Sequence, residues 1–356
     1  GECKRLIINV PPRYSKAIDC ATAMWTPGGW KRAGDIQLGD RLVGSDGQWT
    51  TVVGVHPQGV KPAYTVRFSD GSELVACGDH RWSVRLRDKD RAGDWSAPWR
   101  VKTTDELRGD LVEADGRRKW RIPVLSDSRS DDVDLPLDPY LLGCWLGDGH
   151  THQAAITTMD PEIIGAFSAF DPRPHTHQSA GRATTYGLRG GFVTILRSLG
   201  VLGCKHIPRA YMLGSHAQRL ALLQGLCDTD GWVGAANGQQ GVCFSDRTLS
   251  DDVRSLISSL GGVWRGFESD HERGRRSYKT FLSMPLGDVA FRLPRKVAKI
   301  NERAERNTPR RFVASIEPTS AREMVCFTVD AKDSLFCAGR DFVVTHNTEL
   351  AVVNFI

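Results

Sequence analysis

No run of apolar residues in this chain is long enough to cross a bilayer, and no basic-plus-apolar leader opens it. A soluble, unexported, cytoplasmic protein is therefore expected. Its nine cysteines are an odd number at irregular spacing, with no Cys-x-x-Cys pair. That excludes an ordinary disulfide framework, and Cys77-Gly-Asp-His80 has zinc-like spacing but no second ligand pair. Acidic residues are scarce in the middle of the chain. Between Asp171 and Arg310 basic residues clearly outnumber them, with clusters at Arg273-Gly-Arg-Arg276 and Arg292-Leu-Pro-Arg-Lys296. The net charge of +5 hides this unevenness. A basic centre of this kind suits neutralisation of nucleic-acid phosphates.

A length of 356 residues with 40% hydrophobic side chains allows two or three domains. From Ala17 to about Ser126 the signals are strands and turns: Thr50-Thr-Val-Val-Gly-Val55 and Tyr64-Thr-Val-Arg-Phe68 lie between Gly/Asp clusters. An acidic, loop-like stretch follows at 128–137. Helices then alternate with strands from Pro139 to about Arg306, and strand character returns from Phe312 to Val344. A β-rich domain interrupted by an α/β one is expected.

Near the end stands Val343-Val-Thr-His346-Asn347-Thr348. An Asn amide can attack its own backbone carbonyl and cut the chain. A preceding His can protonate the leaving amine, and a following Thr hydroxyl can accept an acyl group. The two ends also fit each other. Arg5-Leu-Ile-Ile-Asn-Val10 reads as a buried strand and Thr348-Glu-Leu-Ala-Val-Val-Asn-Phe-Ile356 as a helix start. Joined at Lys16 and Thr348 they form a strand, a loop ending Ser-Lys-Thr, and a helix. That is the layout of a phosphate-binding loop, although its usual glycines are missing. The joined segment resembles the degenerate Walker A motif of phage terminase large subunits.

The residues between these ends resemble an intein. Ala17-Ile-Asp-Cys-Ala-Thr-Ala-Met-Trp-Thr-Pro-Gly-Gly-Trp30 is similar to the opening block, and Cys77-Gly-Asp-His80-Arg-Trp82 to the block of the activating histidine. Met324-Val-Cys326-Phe-Thr-Val329 and Phe342-Val-Val-Thr345-His-Asn-Thr348 are similar to the closing blocks. The resemblance implies a mainly β Hint (horseshoe all-β) splicing domain in two parts, 17–127 and 307–347. Segments of the host protein would flank it at 1–16 and 348–356. Inteins usually begin with Cys or Ser, whereas Ala17 has no nucleophile. Class 3 inteins lack it too and carry a linked Trp, Cys and Thr, matched here by Trp82, Cys326 and Thr345. The resemblance then makes Cys326 the first nucleophile, on the Lys16 carbonyl, with Thr345 helping to position or activate it. It assigns leaving-group protonation to His80, orientation to Trp82, acyl acceptance to Thr348, and cyclisation to Asn347 with His346. Cys77 stands where a Thr is common, and Ser334 where a His is common.

Leu141-Leu-Gly-Cys-Trp-Leu-Gly-Asp148-Gly and Leu223-Gln-Gly-Leu-Cys-Asp-Thr-Asp230-Gly repeat one pattern, each a helix ending in an acidic residue and a Gly cap. They resemble the paired motifs of LAGLIDADG homing endonucleases, so residues 128–306 are expected to be an inserted α/β endonuclease domain. The resemblance implies Mg²⁺ between Asp148 and Asp230, with Lys205 and Lys279 stabilising transition-state charge. The strands Thr184–Gly187 and Gly241–Phe244 would face the major groove. Splicing itself needs no cofactor. The expected partners are double-stranded DNA at the uninterrupted terminase gene and the host segments in cis. The protein would be a monomer, phage-encoded and acting in a bacterial host. A homing endonuclease on a splicing-impaired Hint scaffold is the alternative. A terminase ATPase is a third reading, but the flanks are too short to form a motor domain.

Overall fold

The computed structural model describes residues 16–87, 98–127, 129, 131–175, 182–270, 276–300 and 309–346. Its largest sheet has eight strands. Across the sheet they run Arg41–Val43, Trp49–Phe68, Glu73–Cys77, Ile18–Asp19, Arg311–Val329, Trp120–Ile122, Arg81–Leu86 and Arg100–Thr103. The two long strands, Trp49–Phe68 and Arg311–Val329, also pair antiparallel with each other. Register shifts interrupt this ladder between Val313 and Ser315, Thr319 and Arg322, Met324 and Val325, and Thr328 and Val329. Each such irregularity bends a strand and raises its twist, so a ribbon of this length curls rather than lying flat. Ile18, Val66, Leu74, Trp82, Val84, Val325 and Phe327 lie in one buried apolar cluster of this unit.

Between the sheet's two contributions lies a unit of different build. Helix Pro139–Asp148 is followed by a three-stranded sheet, Ala155–Thr158, Arg173–Pro174 and Thr184–Gly187. Helix His216–Asp230 is followed by a four-stranded sheet, Gly231–Val233, Gln240–Phe244, Val263–Asp270 and Arg276–Ser283. The first helix starts at Asp138, whose side chain accepts from the amides of Tyr140 and Leu141. The second starts seven residues before the motif, at a capping box of Ser215 and Gln218.

Glycines let the two helices touch backbone to backbone. A Cβ on Gly143 would stand 2.2 Å from the Leu222 carbonyl oxygen, and one on Gly225 equally close to that of Tyr140. The segment linking the two units is held by a buried ionic cluster. Arg219, on the second helix, reaches the Asp127 carboxylate and the Ser259 carbonyl, and His216 Nδ1 lies 2.9 Å from Asp127. Burial opposes ionisation of Asp127, yet the His216 hydrogen bond and the Arg219 and Arg129 charges hold it down at about 2.

Replacing Gly143 by Val drives a branched side chain into the facing backbone. The expected cost is about 2–3 kcal/mol, read as a lower denaturant midpoint. An unchanged midpoint would mean that the helices do not pack this closely.

Candidate active sites

The first cluster forms where the chain enters the large sheet. Ala17 is fully buried. Its amide donates to Cys77 Sγ at 3.3 Å, and the Cys77 amide donates back to the Ala17 carbonyl at 3.0 Å. Ile18 pairs with Val325 and Asp19 with Met324. Continued by one residue, the same register sets Cys326 beside Ala17, on the side opposite Cys77. Burial raises the Cys77 thiol above its ordinary range, so it stays protonated beside the Lys16–Ala17 bond. The Cys326 side chain is almost wholly buried and makes a weak contact with the Phe327 carbonyl at 3.8 Å.

His80 ties the entry of the domain to its exit. Its amide donates to the Cys77 carbonyl at 3.1 Å, while the Thr104 amide donates to its own carbonyl at 2.9 Å. Trp82 Nε1 donates to the Thr104 hydroxyl at 3.0 Å, and the indole packs edge-on against the imidazole with centroids 4.7 Å apart. Trp82 thus packs against the His80 ring. His80 Nε2 lies 2.5 Å from Thr345 Oγ1. Its Nδ1 is buried with no hydrogen-bond partner among the described residues. Burial first, then the charges of His346 and Lys16, lower the imidazole to about 3, so it is neutral near pH 7.

The hydroxyl of Thr345 is thus paired with the His80 imidazole. His346 is buried on strand Val343–His346, opposite Leu335. Ser334 sits in a left-handed turn, φ 61°, just before strand Leu335–Ala338. Asn347, Thr348 and nearly all of both flanks lie outside the described residues.

The second cluster lies at the shared lower end of the two motif helices. Asp148 and Asp230 each end a helix, with Gly149 and Gly231 as caps. Burial raises both carboxyls. The like charge of Asp148 pushes Asp230 further, to about 7, against the pull of Lys205 and Lys296. Lys205 Nζ donates to the carbonyls of Gly147 at 2.8 Å and Gly149 at 2.6 Å. Burial brings its ammonium down to about 8, despite the attraction of Asp230 and Asp148.

In the second half Lys296 makes carbonyl contacts like those of Lys205. Lys296 is buried, and its Nζ donates to the carbonyls of Cys227, Asp228 and Gly231 at 2.9, 2.7 and 2.6 Å. Lys279 is exposed on strand Arg276–Ser283, between Cys243 and Phe267 on its neighbours. A signal for Lys296 was present: Ile207-Pro-Arg209 and Leu293-Pro-Arg295 share a Pro-Arg pair, each beside its lysine and beside a short helix. An oxygen-only pair of carboxylates fits a hard divalent cation such as Mg²⁺.

No protein-family model matches the chain. A replicative DNA helicase DnaB of Mycobacterium intracellulare is 34% identical over 367 residues, covering 98% of this chain and 61% of the helicase. An iron–sulfur cluster assembly SufBD family protein of Mycobacterium leprae is 26% identical over 300 residues, covering 71% of this chain and 34% of that protein. The chain thus spans about three fifths and one third of these curated relatives. Among solved structures, the MchDnaB-1 intein matches 93% of this chain at 15% identity and a TM-score of 0.31, with all of that chain covered. The homing endonuclease I-DmoI with DNA and Mn covers 41% at 16% identity and a TM-score of 0.31. Both likenesses are loose.

A buried carboxyl raised to about 7 costs the folded state free energy above that pH and nothing below the ordinary carboxyl range. Asp230→Asn removes this cost. The variant is expected to be more stable than the parent by about 1–3 kcal/mol at pH 8, with the gap closing near pH 4. Denaturant titrations at the two pH values check it, and a gap that stays constant with pH contradicts it.

Proposed function

We propose that residues 17–347 are a self-splicing intein of class 3 with an embedded LAGLIDADG homing endonuclease, and that its removal joins Lys16 to Thr348. The observation that carries this reading is the register that sets Cys326 beside Ala17 while His80 reaches Thr345. Entry and exit of one segment meet at a thiol and an imidazole. The relatives add support. Two proteins whose names denote unrelated work align with the same chain, as expected of an element lodged in different hosts.

Cys326 adds through its sulfur to the Lys16 carbonyl, the carbon–nitrogen bond to Ala17 breaks, and the Lys16 acyl group is held as a thioester. Placement within one fold can replace effective concentrations of about 10⁵–10⁸ M. His80 relays a proton to the departing Ala17 nitrogen. An imidazole of such low proton affinity releases a proton as soon as it takes one, and an amine is the stronger base. The acyl group then passes to Thr348. Asn347 cyclises with help from His346, and the released ester rearranges to a peptide bond. Joined, Ser15-Lys16-Thr348 would restore the terminase phosphate-binding loop, an assignment that rests on the sequence of the flanks alone.

The nuclease reading rests on the paired helix ends. Asp148 and Asp230 would hold Mg²⁺, which supplies water activation and charge neutralisation at a scissile phosphate. Lys205 and Lys296 lie beside the carboxylates and stabilise developing negative charge. The uneven basic surface supplies the attraction to double-stranded DNA.

The expressed chain is expected to yield a ligated flank of about 25 residues and a free 17–347 element, seen by mass spectrometry. Cys326→Ala should leave the Lys16–Ala17 bond intact. An uncleaved parent chain would favour the alternative, an endonuclease on a splicing-impaired scaffold. Separately, the protein with Mg²⁺ should cut duplex DNA spanning the uninterrupted terminase junction, and Asp148→Asn should reduce cutting by at least about 10²-fold. An equal rate in the variant would remove Asp148 from the chemistry.

A further inference from the structure

Cys326 must give up its thiol proton as its sulfur attacks, so the groups around it matter. Thr345 and His80 are bonded to each other, and burial keeps Cys77 a neutral thiol. The long ladder supplies another group. In the regular stretch between two bulges, Val325 pairs with Pro57, Cys326 with His56, Phe327 with Val55, and Thr328 with Gly54. Side chains directly opposite in an antiparallel pair share a face, with Cβ atoms about 4.5–5.5 Å apart. His56 is thus the cross-strand neighbour of Cys326, on the face that carries Thr328.

The imidazole is also held in place. Its Nε2 lies 3.0 Å from Thr328 Oγ1. The ring reaches that diagonal partner because residue 54 is glycine: a Cβ there would stand 2.8 Å from Nε2 and 3.2 Å from the Thr328 side chain. Half-buried, the ring can still exchange protons with water. One nitrogen fixed by a hydroxyl leaves the other to act, the usual arrangement for an orienting partner and a base.

We propose that His56 is the general base for the Cys326 thiol. The inference rests on the direct-attack reading given above. His56 takes the thiol proton as sulfur bonds to the Lys16 carbonyl carbon. The carbon–nitrogen bond breaks, and the Ala17 nitrogen receives a proton through His80. The two imidazoles then re-equilibrate with solvent, so the net change is transfer of the thiol proton to the amine. Thr328 is a positioning residue acting through His56.

The test uses the full chain with His56→Ala, His56→Gln, Thr328→Val and Cys326→Ala. Two rates are followed by mass spectrometry: release of the Lys16–Ala17 bond, and alkylation of the Cys326 peptide by iodoacetamide, which reports thiolate. Both His56 variants should slow both rates by about 10²-fold, and Thr328→Val by a smaller factor. Free imidazole should restore part of the loss in His56→Ala. The isosteric His56→Gln carries the test if the alanine variant unfolds. Rates within twofold of the parent overturn the proposal, as does slower release with unchanged alkylation. Release that persists in Cys326→Ala sinks the direct-attack reading and this proposal with it. Release lost in Cys326→Ala but kept in the His56 variants sinks this proposal alone.

Discussion

Everything at the cluster around Ala17 depends on one antiparallel pairing, that of Trp49–Phe68 with Arg311–Val329. The two strands lie more than two hundred residues apart in sequence, and closing so long a loop is entropically costly. The long ladder and the apolar cluster beneath it offset that cost. Ile18 and Asp19 add to the same late strand, which turns a remote cysteine into a neighbour of Ala17. Without this pairing there would be a histidine near the entry and a thiol far away.

The inserted unit is fastened to this frame rather than merely tethered. Arg209 donates to the Pro27 carbonyl, Trp264 Nε1 donates to Asp341 at 3.0 Å, and Arg265 donates to the Ser69 carbonyl at 3.3 Å. Arg219 and Asp127, both fully buried, close the linker. Removing Asp127 would leave the Arg219 guanidinium as an unpaired buried charge, an expensive defect. Substitutions in the insert can therefore reach the Ala17 cluster through the frame without touching it.

Much of this was legible in the sequence because it rests on local pattern. The turn clusters bounding Trp49–Phe68 and the Gly-spaced helices ending at Asp148 and Asp230 are properties of short windows. Contacts set by register were harder to read. Thr345 meets His80 on strand Val343–His346, which pairs with Leu335–Ala338, a placement no window reveals. Lys296 was hidden because its environment is three backbone carbonyls, which leave no mark in composition. The shared Pro-Arg pair of Ile207-Pro-Arg209 and Leu293-Pro-Arg295 was the available clue. The facing of His56 and Cys326 likewise exists only once two distant strands are aligned.

The late position of Arg311–Val329 has a consequence for the newborn chain. Synthesis runs from the N-terminal end, so Trp49–Phe68 waits for its long partner until the whole inserted unit has been made. During that interval the Lys16–Ala17 bond exists but Cys326 does not. The order of synthesis thus acts as a timer. It keeps Cys326 away from Ala17 until the inserted unit has had time to fold, and the fold sets the delay through the length of what it encloses.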